Sequence, residues 1–162
     1  MKNKQMQQKL IIDTDPGIDD AMAIHYAFAH PDLEVLGLTT IFGNVFVPQA
    51  TRNALLLSEQ AHYCVDVAEG AAQPLLQSLN PPSHHVHGAE GFGDVPVKQP
   101  DGMQVEMSAA DYIVKKCRQY SGEVILCPVG PLTNIAAALK ADPDLINHCL
   151  LYTSPSPRDL ST

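Results

Sequence analysis

The chain has 162 residues, 45% hydrophobic and 17% charged, with a formal net charge of −8. That composition suits a globular chain with one core of ordinary size, and the acidic balance argues against nucleic-acid polymers or anionic membranes as partners. No apolar run reaches the roughly 18 residues of a membrane-spanning helix, and four cysteines (Cys64, Cys117, Cys127, Cys149) without a CxxC pair read as free thiols of a reducing cytoplasm.

In chain order, residues 1–8 are polar and basic, with no separate apolar signal segment, and predict a short leader. Leu10–Ile12 is an apolar run that reads as a buried strand. Asp13, Asp15, Asp19 and Asp20 follow within eight residues, with Pro16-Gly17 forcing a turn between them. A helix opens at Ala21 and stops near Ala29, before Pro31. Leu33–Thr40 is nearly continuous in apolar character, as a parallel strand covered on both faces would be. Ile41-Phe42-Gly43-Asn44-Val45 lies at its carboxyl end. Pro48–Ala61 predicts a helix, with Ala50, Ala54, Leu57 and Ala61 at helical spacing. Val65–Ala68 is a short third strand. Gly70–Met107, rich in Pro, Gly and His, is a loop of the length that usually serves a function. Ser108 caps a helix to about Tyr120. Glu123–Cys127 is a fourth strand, and Leu132–Lys140 a helix ended by Asp142-Pro143. Asp144–Leu151 starts like another strand, and 152–162 is a Ser/Pro-rich tail. The alternation predicts an α/β fold over 9–151: an open, mostly parallel sheet with helices on both faces.

The aspartates therefore gather at the carboxyl end of a strand and the start of a helix, where open α/β sheets place ligands. Carboxylates this close raise one another's pKa unless donors or a cation stabilise them. Oxygen-only ligands suit calcium or magnesium. A capped helix start with solvated aspartates is the plain alternative. An EF-hand is excluded, because a loop counted from Asp13 puts Ile24 where its glutamate belongs. A phosphatase of the Asp-x-Asp type, using Asp13 or Asp15, is a second reading. It leaves the Asp19-Asp20 pair unexplained.

The run Asp13-Thr14-Asp15-Pro16-Gly17-Ile18-Asp19-Asp20-Ala21 resembles the N-terminal signature of the calcium-dependent nucleoside hydrolases, the inosine-uridine preferring family. The resemblance extends over about Lys9 to Ile146. It implies a Rossmann-like sheet and hydrolysis of a ribonucleoside to ribose and free base, a small-molecule reaction in the cytoplasm by a homo-oligomer. It implies Ca2+ held by Asp15, Asp20 and the main-chain carbonyl of Val129, in Pro128-Val129-Gly130-Pro131-Leu132-Thr133-Asn134. Asp15 would also be the general base. Asp19 and Asn44 would bind the ribose, and Asp13 would support the ligands from behind. His87, in His-Gly-x-x-Gly, matches a histidine that lines the site and would be catalytic there, as acid or hydrogen-bond donor. Zinc binding by His84, His85 and His87 is a rival reading that lacks an acidic or cysteine partner. Asn134 reads as structural. The family's last acidic ligand, its neighbouring histidine and its leaving-group acid have no counterpart before Thr162. The chain is therefore expected to be a truncated part of such an enzyme that binds calcium weakly and turns over little. A ribose-binding fragment without activity is the remaining alternative.

Overall fold

A computed structural model describes residues 7–93 and 95–152. Most of the expected leader (residues 1–6) and the expected tail from residue 153 lie outside the described residues. Strand β1 (Gln8–Thr14) is followed by α1 (Ile18–Ala29), β2 (Leu33–Thr40), α2 (Val47–Gln60) and β3 (Asp66–Glu69). Then come α3 (His84–His87), α4 (Ala109–Gln119), β4 (Val124–Pro128), α5 (Thr133–Ala141) and β5 (Cys149–Tyr152). The strands form one sheet in the order β3-β2-β1-β4-β5, and every neighbouring pair is parallel. The open parallel sheet predicted from the alternating pattern is present.

The differences from the sequence reading have local causes. β1 is longer than Leu10–Ile12, because Gln8 and Lys9 pair with Leu33 and Glu34 of β2. α1 starts at Ile18 rather than Ala21, which brings Asp19 and Asp20 into its first turn. The long loop holds a single helical turn, His84–His87, closed by hydrogen bonds from the Val86 and His87 N–H groups to the Ser83 carbonyl. The stretch from Asp144 opens as a 3-10 turn over Pro143–Asn147, not as a strand. Pro143 pre-sets the backbone there, and the Asp142 carboxylate accepts the Asp144 N–H at 3.3 Å.

Two apolar layers flank the sheet, and β1 feeds both by alternation. Leu10 and Ile12 pack with Ile24 and Ala27 of α1 and Ala54 and Leu57 of α2. Ile11 packs on the other face with Tyr112, Ile113 and Cys117 of α4 and Ile135 and Ala138 of α5. Between Leu10 and Ile11 the β1–β2 register slips past Leu36, whose carbonyl accepts the Tyr112 hydroxyl at 2.6 Å. The chain runs outward through β2 and β3, then crosses back to the other side of β1 as β4. That reversal opens a crevice above the carboxyl ends of β1, β2 and β4.

Candidate metal and ribose site

The end of β1 is built inward. Asp13 and Thr14 are fully buried, and Asp15 and Asp20 are only 4% and 6% exposed. Asp13 continues the Ile11 face toward α5. Its Oδ1 accepts the Thr39 hydroxyl at 2.6 Å and the Asn134 amide at 2.8 Å. Its Oδ2 is the single buried side-chain N or O atom among the described residues without a hydrogen-bond partner. The Asp13 backbone carbonyl accepts the Val129 N–H at 2.8 Å and the Gly130 N–H at 3.3 Å, which fixes the exit of β4 beside β1.

Asp15 and Asp20 are joined through Asn44. The Asn44 N–H donates to Asp15 Oδ2 at 2.5 Å, and its side-chain amide donates to Asp20 Oδ2 at 3.0 Å. Asp20 Oδ1 accepts the Thr14 hydroxyl at 2.6 Å, and Oδ2 also accepts the Gly17 N–H at 3.2 Å. The Asp15 carboxylate lies between two backbones without side chains. A Cβ on Gly130 would stand 2.7 Å from its Oδ1, and one on Gly43 would run into its Oδ2. Asp19 is turned to solvent, with Oδ1 3.7 Å from His87 Nδ1. His87 is buried. Its Nδ1 accepts the Ile18 N–H at 3.3 Å, and its ring lies so close to Gly17 that a Cβ there would meet Nδ1 at 2.6 Å.

A cavity of about 580 Å3 opens above these groups, lined by Asp15, Asp19, Asp20, Ala23, Asn44, Val129, Gly130 and Pro131. This is an ordinary volume for a small-molecule site. The sequence-predicted residues Asp15, Asp19, Asp20, Asn44 and Val129 thus share one cavity. Asp13 and His87 are not among its walls. The Asp13 backbone carbonyl holds the Val129 N–H, and His87 packs behind Gly17. Burial in the sheet pushes the Asp13 carboxyl up from its ordinary 3.8 to about 7, against the pull of the Thr39 and Asn134 hydrogen bonds. Asp15 is pushed up to about 8, first by burial and then by the charge of Asp20, with the Asn44 N–H opposing.

The donor set fits a hard cation. Asp15, Asp20 and the Val129 carbonyl are all oxygen donors, and no hydrogen-bond donor among the described residues reaches that carbonyl. The unpartnered Asp13 Oδ2 and the raised Asp15 carboxyl both mark a shortage of positive charge at the bend. Among the described residues no group of three His, Cys, Asp or Glu side chains is arranged to hold a metal by itself. A cation here would need the main-chain oxygen and further ligands. The same finding covers His84, His85 and His87: the first two are exposed and the third is turned to Ile18.

Sequence reasoning did not identify Thr14, Thr39, Arg52, Asn53 or Glu90 as parts of this assembly. Asn53 carried a signal: it is a polar residue on the same helical stripe as Ala50, Ala54 and Leu57. Asn134, read as structural, holds Asp13.

Comparison with known proteins bears on the site as a whole. The family model described as inosine-uridine preferring nucleoside hydrolase matches residues 10–150. Uridine nucleosidase 1 of Arabidopsis thaliana is 53% identical over 136 residues, covering 83% of this chain and 40% of the relative. A plant nucleoside hydrolase of known structure superposes with a TM-score of 0.87 at 42% identity, covering 91% of this chain and 47% of that one. A purine-preferring ribonucleoside hydrolase from Gardnerella vaginalis also gives 0.87, at 34% identity, over 91% of this chain and 48% of its own. The chain spans less than half the length of each of these relatives.

Proposed function

The chain belongs to the inosine-uridine preferring nucleoside hydrolase family, and from that premise we propose that its aspartate bend serves the hydrolysis of ribonucleosides to ribose and free base in a calcium-dependent enzyme. The observation that supports this best is the pairing of the Asp15 and Asp20 carboxylates through Asn44 on the wall of one cavity, with Val129 distant in sequence and adjacent in space.

Cleavage of an N-glycosidic bond passes through an oxocarbenium-like state, as O-glycoside cleavage does. Negative charge near the sugar stabilises that state, and Asp19 and Asp20 on the cavity wall would supply it. Asp15 would be the general base, available once a bound cation displaces the proton that burial otherwise keeps on its carboxyl. Asp19, exposed at the mouth, accepts hydrogen bonds from ribose hydroxyls, and the Asn44 amide holds both carboxylates in register for them. Asp15, Asp20 and the Val129 carbonyl would hold calcium, which when bound lowers the pKa of a water ligand and grips vicinal hydroxyls. His87 acts from behind the Gly17 turn, where its Nδ1 accepts the Ile18 N–H. In the Asp-x-Asp phosphatase reading Asp13 could not act, since it is fully buried and off the cavity wall, and that reading would rest on Asp15 alone. Both base classes occur among the relatives' names, so the base is left open in the proposal.

The test is calorimetric titration of the chain with CaCl2, then ribose, beside Asp15→Ala. We expect weak calcium binding that Asp15→Ala abolishes, and no release of base from inosine or uridine by the 162-residue chain. Fusion to the remaining length of a relative should give turnover that Asp15→Ala removes. Calcium affinity unaffected by Asp15→Ala would overturn the proposal. Ribose binding by the fusion without turnover would favour the non-catalytic reading.

A further inference from the structure

A second assembly stands on the far side of the Pro16-Gly17 turn from the cavity. Asn53 of α2 is fully buried, and its amide N–H2 donates to two carbonyls from different parts of the chain: Pro16 at 3.0 Å and Glu90 at 2.9 Å. Its Oδ1 is held in turn by Arg52, at 2.9 Å from Nη2 and 3.2 Å from Nε. The same guanidinium grips Glu90, with Nη1 on the carboxylate at 2.6 Å and Nη2 on the carbonyl at 3.2 Å. Gln49, one turn earlier on α2, adds a bond to the Ala89 carbonyl at 3.1 Å. Between them Gly91 takes φ 92°, and a Cβ there would stand 2.7 Å from the Asn53 amide and 2.9 Å from the Pro16 carbonyl. The contact is a close backbone approach that only glycine permits.

We propose that Arg52, Asn53 and Glu90 form a latch that seats the His84–Gly93 segment on the aspartate bend, making Arg52 and Asn53 positioning residues for His87 and, through it, for the Ile18 N–H at the start of α1. The chain of contacts is continuous. Arg52 sets the orientation of the Asn53 amide. Asn53 ties the Pro16 carbonyl to the Glu90 carbonyl. Glu90 is three residues from His87, and the Gly93 N–H closes the segment onto the His87 carbonyl at 2.7 Å. His87 then rests on Gly17, takes the Ile18 N–H on Nδ1 and stands 3.7 Å from Asp19. Arg52, Asn53 and His87 are buried or half-buried, so water competes poorly for their bonds. The Arg52 guanidinium holds the Glu90 carboxyl below the usual glutamate range, in keeping with a formed ion pair. The latch deepens the ribose-site reading, which gives His87 its role, but its contacts exist without calcium or sugar.

The experiment uses the 15N-labelled 162-residue chain without metal or nucleoside, so its failure is separate from failure of calcium or ribose binding. In the native chain His87 should show the Nε2–H tautomer, because Nδ1 accepts the Ile18 N–H. Arg52→Ala and Glu90→Gln should each move the His87 ring nitrogens toward a tautomer average. They should also speed hydrogen exchange at the Ile18 amide about tenfold, the effect of losing roughly one charge-assisted hydrogen bond. Exchange at Ile11 and Leu38 in the sheet should stay unchanged. Arg52→Lys, which keeps the charge but lacks the fork, should restore the native state only in part. An unchanged His87 tautomer and Ile18 exchange in both Arg52→Ala and Glu90→Gln would overturn the latch. So would a parallel loss of protection at Ile11 and Leu38, which would make these residues general scaffold.

Discussion

At the scale of single residues, the bend is defined by carboxylates that burial keeps from ionising. Asp13 and Asp15, pushed up to about 7 and about 8, hold protons in the folded chain that an unfolded carboxyl, titrating near 3.8, has already released. Folding therefore binds protons between those values. The stabilisation is complete below about pH 4 and is lost as pH rises through about 7 to 8. Melting curves recorded in chelator should give a lower midpoint at pH 8 than at pH 5, and a midpoint that rises over that interval would contradict the account. If Asp15 holds calcium as proposed, the ion would displace its proton, and stabilisation by added calcium should grow with pH over the same range. The aspartates were legible in the sequence, because four acids crowded around a Pro-Gly turn after an apolar strand repel one another unless donors or a cation are held among them. Their partners were not. Thr39 lies 26 residues from Asp13, and Asn134 lies 121 residues from it. No local pattern records a bond across such a separation.

At the scale of elements, most of the sheet and its helices could be read from periodicity, since β1 and β2 are apolar runs and α2 and α4 carry regular stripes. Reading failed where a tertiary contact set the boundary. Gln8 joins β1 only because Leu33 is there to pair with it, and the helical turn at His84 lies in a stretch whose composition signals a loop. α5 shows how an element can serve two ends. Ile135 and Ala138 pack into the core, while Asn134 donates to Asp13 and the Thr40 carbonyl and accepts the Ala71 N–H at 2.9 Å. Asn134→Ala leaves the buried Thr40 carbonyl and Ala71 N–H without their partner and should cost about 1–3 kcal/mol in urea denaturation. Ile24→Ala, in the fully buried centre of α1, should cost about 2–5 kcal/mol by the same measurement, through the lost contacts and the space left behind. A loss below about 0.5 kcal/mol at Ile24 would mean that α1 is not packed as described.

At the scale of the whole molecule, the apolar surface is uneven. Ile18, Met22 and Tyr26 stand exposed at successive helical turns of α1, and Leu150 and Leu151 of β5 and Ile146 in the turn before it are exposed too. β5 ends the sheet among the described residues, over an apolar cleft lined by Leu126, Ile135, Leu139 and Leu145. Open strand edges over apolar surface invite association. Sedimentation should show an average mass that climbs above the 17.5 kDa of one chain as concentration rises, and Leu151→Glu should lower it. A constant mass in both proteins would remove that expectation. Among the described residues no helix is long and apolar enough to cross a membrane. The flanks of Asp15 bear on how such a pocket could be re-engineered. With bare backbone on either side of that carboxylate, positions 43 and 130 are closed to mutagenesis. Variation of the cavity has its freedom at Ala23 and Pro131, walls that touch the void without holding an acid in place.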